Sequence, residues 1–91
     1  MPKISCKVVI KNDLGLHIRP ATAIVKMLQK TQAAVFFTYK KETVNARSIM
    51  SILMLMAKKK TKIEITVDGV DAEKTMQMLI QAFNTGFGES A

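Results

Sequence analysis

One histidine occurs in the 91 residues, His17, within Gly15-Leu16-His17-Ile18-Arg19-Pro20-Ala21. Imidazole is a competent nucleophile near neutral pH, because much of it is then unprotonated. Pro20 is tolerated in a first helical turn, where its missing N–H has no helical partner to lose. His17 therefore stands where a loop becomes a helix. Unpaired N–H groups and a partial positive charge at such a start favour an anion. Arg19 adds a permanent charge and a forked set of donors. Gly15 permits a tight turn just before the site. A nucleophile that carries an anionic group such as phosphoryl fits this setting. A metal site does not, since His17 has no second histidine and Cys6 is the sole cysteine. No Gly-x-Ser-x-Gly elbow offers a nucleophilic serine.

The elements that position these residues are legible in the pattern. Ile4, Cys6, Val8 and Ile10 alternate with polar neighbours as a strand with one buried face. Asn12-Asp13-Leu14-Gly15 breaks it. Ala21, Ile24, Val25 and Leu28 predict a helix over Ile18 to Lys30. Strands follow at Ala34 to Tyr39 and, more weakly, at Glu42 to Ala46, with Lys40-Lys41 as a tight hairpin. Ser48 caps a short helix to Met54. Lys62 to Asp68 alternates strictly. Asp71 is the expected N-cap of a last helix with the stripe Ala72, Met76, Leu79, Ile80 and Phe83. Gly86 and Gly88 mark a frayed tail. The order is β-α-β-β-α-β-α in a single domain, residues 1–91, which is an α+β arrangement.

The short helix is apolar nearly all round: Ile49, Met50, Ile52, Leu53, Met54 and Leu55. So small a domain cannot hide them all. Some of Ile49, Met50 and Met54 should be exposed and, with Ile18 and Arg47, form a pliable docking patch.

Fourteen Lys and Arg against seven Asp and Glu give a net charge of +7, which suits an acidic partner. Nucleic acid is disfavoured as that partner, because aromatics are only 5% and no stacking motif is visible. The opening residues alternate rather than form an apolar run, so no secretory leader is expected. The apolar stretch from Ile52 to Ala57 is too short to insert in a membrane. The lone Cys6 cannot form an intramolecular disulfide. A cytoplasmic setting is expected.

The Gly15–Ala21 motif, with a second one at Asn45-Ala46-Arg47-Ser48-Ile49-Met50, resembles the HPr family. These are phosphocarriers of the bacterial phosphoenolpyruvate-dependent sugar phosphotransferase system. The resemblance runs from Ile4 to Phe83. It implies an open-faced sandwich, with a four-stranded antiparallel sheet covered on one face by three helices. It implies a monomeric carrier without cofactor, rather than an enzyme with turnover of its own. Enzyme I would phosphorylate Nδ1 of His17, and Arg19 would stabilise the group. A sugar-specific component A would take it onward. Ser48 resembles the regulatory serine that an HPr serine kinase modifies. Ser51, Met56 and Lys60 stand where many members have glycine, and Leu14 where many have a polar residue. These departures leave open a regulatory or nitrogen-type relay in place of sugar uptake.

Overall fold

Alternation of apolar and polar side chains builds the strands of the computed structural model, which describes residues 3–89. β1 (Lys3–Val9) turns Ile4, Cys6 and Val8 inward, and β2 (Ala34–Tyr39) buries Val35 and Phe37. β3 (Glu42–Asn45) is short, and β4 (Lys62–Asp68) buries Ile63, Ile65 and Val67. The strands form one antiparallel sheet in the order β1-β4-β2-β3. Ile65 lies at its centre, opposite Cys6 on one side and Phe37 on the other. The outer face is polar, with hydroxyl pairs Ser5–Thr66 at 3.2 Å and Thr38–Thr43 at 2.8 Å. That one-sided chemistry leaves the inner face for the helices.

Three helices cover the inner face: α1 (Ile18–Leu28), α2 (Ile49–Met54) and α3 (Ala72–Asn84). Helix α1 buries Pro20, Ala21, Ile24 and Leu28; α3 buries Ala72, Thr75, Met76, Leu79 and Phe83. Phe83 meets Phe37 edge-on, with ring centroids 5.6 Å apart. Among the described residues, no helix is long and apolar enough to cross a membrane.

Several local expectations change. Helix α1 stops at Leu28 rather than Lys30, because the backbone ladder tightens there to bonds three residues back. Gln29 N donates to Lys26 O, Lys30 N to Met27 O and Thr31 N to Leu28 O, and side chains close the end. The Thr31 hydroxyl donates to Leu28 O at 2.9 Å and the Arg47 guanidinium at 2.7 Å. Asp71 does not cap α3 through its side chain. Its carboxylate instead accepts the N–H groups of Gln32 and Ala33, both at 2.9 Å, and ties α3 to the entry of β2. These donors, Gln32 first, hold the Asp71 carboxyl below its usual range. The Lys40-Lys41 hairpin forms without glycine, at φ of 56° and 85°. Met56 and Lys60 are likewise left-handed, at φ of 52° and 74°. The backbone keeps the conformation glycine favours, although side chains are present, at a cost of about 1 kcal/mol each. Ser51 needs no glycine, since it is an ordinary helical residue of α2.

The largest correction concerns the end of the chain. Gly86 to Gly88 is not frayed: it is a tight left-handed turn, and it carries Glu89 back to the start of α1.

Candidate functional site

The loop that precedes α1 is held from both sides. Gly15 N donates to Asn12 O at 3.1 Å, and Leu16 N donates to Ala57 O at 3.0 Å. Gly15 adopts φ +67°, and a Cβ there would lie 2.3 Å from Ala57 O. Both backbone angle and space therefore require glycine. This tight contact delivers His17 to the N-cap position of α1, in extended conformation and with no side-chain cap of its own. The first turn of α1 has no acidic residue. Its N–H groups and its dipole favour an incoming anion.

The imidazole of His17 is 28% exposed, and its Nε2 meets both Glu89 oxygens, at 3.0 and 2.9 Å. Asn12, buried to 1% exposure, donates from Nδ2 to Gly15 O at 2.7 Å and to Glu89 Oε1 at 2.9 Å. The Glu89 carboxyl is held below its ordinary range by the His17 bond above all. Desolvation opposes that effect; Asn12 and the charges of His17 and Arg19 add to it. Glu89 is thus an anion at neutral pH. Arg19 is 80% exposed and only 3.9 Å from Glu89 at its nearest atoms, so its guanidinium stands largely in solvent beside the histidine. Neither Asn12 nor Glu89 was singled out from the sequence. The available signal was Gly86-Phe87-Gly88 ahead of an acid, a pattern that bends a chain sharply.

Around His17 lies a shallow depression lined by Leu14, Leu16, Leu53, Met56, Ala57 and Lys58. Leu14 and Met56, at 72% and 75% exposure, belong to its rim. Ile18, Met50 and Met54 are exposed as expected, whereas Ile49 is half-buried against the core. Ser48 caps α2, its Oγ accepting Ser51 N at 3.2 Å.

Arg47 departs from its expected place in the docking patch. Its guanidinium turns inward and donates to Leu28 O, Thr31 O, Thr31 Oγ1 and Ala33 O, at 2.7 to 3.0 Å. It closes the C-terminal end of α1 and the turn into β2. Among the described residues no group of three or more His, Cys, Asp or Glu side chains could hold a metal ion.

The family model described as the PTS HPr component phosphorylation site matches residues 4–85. The chain is 45% identical over 87 residues to the phosphocarrier protein HPr of Chlamydia muridarum, covering 96% of this chain and 84% of that protein. The crystal structure of HPr-C-His from Thermoanaerobacter tengcongensis superposes with a TM-score of 0.88 at 30% identity, over 100% of both chains. A phosphocarrier protein HPr from Bacillus anthracis gives 0.86 at 31% identity, covering 91% of this chain and 99% of that one.

Proposed function

Because this chain belongs to the HPr family of phosphocarriers, we propose that His17 accepts a phosphoryl group from phospho-enzyme I and passes it to component A of a sugar-specific phosphotransferase. The observation that carries this reading is the partly exposed imidazole at the open N-terminus of α1, with the largely solvent-exposed guanidinium of Arg19 beside it. The Nδ1 lone pair attacks phosphorus as the bond to the donor breaks. The first-turn N–H groups and Arg19 face the oxygens of the transferred group. The reverse sequence delivers it to the next acceptor. The protein is a covalent carrier that two enzymes use as substrate, and the cytoplasm is its place of work.

Incubation with enzyme I and labelled phosphoenolpyruvate tests this directly. Label should appear on the protein and be lost in acid, as a phosphohistidine is. Acid-stable label, or none, refutes the reading.

Arg19→Ala should still accept phosphoryl groups, but more slowly. Loss of one charge-assisted contact in the transition state removes about 2–3 kcal/mol, or roughly a hundredfold in rate. The fold should not suffer, since Arg19 is exposed. Steady-state transfer kinetics decide it, and wild-type rates would leave the cation without a part in the chemistry.

Regulation is proposed at Ser48. A phosphate placed there by an HPr serine kinase sits at the start of α2 and alters the charge near exposed Met50. Ser48→Asp mimics it. The aspartate still accepts the Ser51 N–H, so melting should change little. Affinity for enzyme I should fall by about tenfold at low salt and recover as salt rises. Calorimetric titrations at two salt concentrations read this. Unchanged affinity at low salt removes Ser48 from the docking face.

A further inference from the structure

We propose that Glu89 is a positioning residue for the transfer: its carboxylate holds the His17 proton on Nε2 and so leaves Nδ1 as the nitrogen that takes the phosphoryl group. The role rests on the carrier function proposed for His17. A neutral imidazole has one N–H, and an ionised carboxylate only accepts hydrogen bonds. With both Glu89 oxygens about Nε2 at 3.0 and 2.9 Å, the proton belongs on Nε2 and the lone pair on Nδ1.

The contact is built rather than incidental. Gly86, Phe87 and Gly88 take successive left-handed backbone angles, with φ of 61°, 58° and 75°. A phenylalanine rarely adopts that conformation, and here packing holds it. Its ring meets Phe83 edge-on at 4.9 Å between centroids, and Glu89 N closes the turn on Gly86 O at 3.0 Å. Gly86 lies over Asn12, and buried Asn12 fixes Oε1 of the carboxylate. The side chain of Glu89 is only 12% exposed. Tail, asparagine and histidine form one hydrogen-bonded unit that spans both ends of the described chain.

The step balances without any further reactant. As Nδ1 bonds to phosphorus, the donor's bond breaks and the ring becomes an imidazolium that keeps its Nε2 proton. The Glu89 carboxylate stabilises that charge in place. When the next acceptor takes the phosphoryl group, the electron pair of the N–P bond returns to Nδ1 and the ring is neutral again. No proton need enter or leave.

The test uses the full chain as Glu89→Ala and Glu89→Gln. Nitrogen NMR of the unphosphorylated protein, above the histidine titration, reads the tautomer. Wild type should show one form, with the proton on Nε2. Glu89→Ala should show a mixture, and Glu89→Gln, which keeps an acceptor oxygen, should restore the single form. In transfer assays Glu89→Ala should lose about tenfold in kcat, with KM for enzyme I little changed, because the carboxylate is not on the surface. Glu89→Gln should recover part of that rate, but not all, since the charge is missing. An unaltered tautomer in Glu89→Ala overturns the proposal, and so does transfer at the wild-type rate or faster. Failure of wild-type His17 to accept phosphoryl at all would instead strike the carrier function, while the tautomer measurement stands on its own.

Discussion

His17→Ala abolishes acid-labile labelling by enzyme I and phosphoenolpyruvate while the protein remains folded. In the proposed role the histidine contributes the nucleophile, and in the structure it contributes little of the architecture. Its side chain caps nothing, and its backbone carbonyl still accepts Ala21 N at 3.1 Å whatever the side chain. The apolar residues that seat the helix, Ala21, Ile24 and Leu28, are untouched. Glu89 loses one partner but retains Asn12 at 2.9 Å. The stability change should therefore stay near 1 kcal/mol, a shift of about 4–8 °C in Tm. Labelling falls to background because the chain offers no other imidazole. Undiminished acid-labile label in this variant, measured beside a melting curve, would refute the assignment of His17.

Arg47→Ala produces the opposite pattern, a large loss of stability with the His17 site intact. The guanidinium supplies donors to three backbone carbonyls, those of Leu28, Thr31 and Ala33, and to the Thr31 hydroxyl. Truncation removes the charged donor from the carbonyls of Thr31 and Ala33, while Leu28 O keeps Thr31 as a partner, and bonds from a charged donor are the stronger kind. The expected cost is about 3 kcal/mol, or a fall of roughly 15 °C in Tm for a domain of this size. The urea midpoint should drop without a change in slope. Lysine should restore little, because a point ammonium cannot span carbonyls that the planar fork reaches together. A docking role for Arg47 makes the contrary demand: unchanged melting with weakened binding to enzyme I.

The difference between these two residues shows what the sequence could reveal. His17 was legible because its type is rare in this chain and its setting is local: Gly15 before it, Arg19 and Pro20 after it, all within one turn. The strands were legible for the same reason, as the alternation of Ile63, Ile65 and Val67 needs no distant information. A simple shortage of covering segments implies that some of Ile49, Met50 and Met54 are exposed; Met50 and Met54 are, and Ile49 is half-buried. Arg47 was misplaced because nothing adjacent to it shows that the end of α1 lies within reach. Asp71 looked like a helix cap for want of knowledge that Gln32 and Ala33 stand nearby. Glu89 was invisible for the plainest reason: its partner is 72 positions away. Two glycines near an end read as fraying in isolation. Only the apolar ring between them, packed on Phe83, gives the turn a reason to persist.

The strand order also bears on the life of the chain before it is complete. Ser5 and Thr66 face each other across the β1–β4 pair, 61 positions apart. Non-local pairing of this kind slows folding relative to helical bundles. During synthesis at roughly 5–20 residues per second, β1 must wait several seconds for its neighbour to be made. Helix α1 and the β2–β3 hairpin have local partners and do not share this delay. A waiting strand with one apolar face invites pairing with another nascent chain. Lys3 and Lys7 lie on the exposed side of that strand, and Lys11 follows just beyond its end. Their charge repels a second copy throughout the interval, so they serve the protein before there is a fold to stabilise.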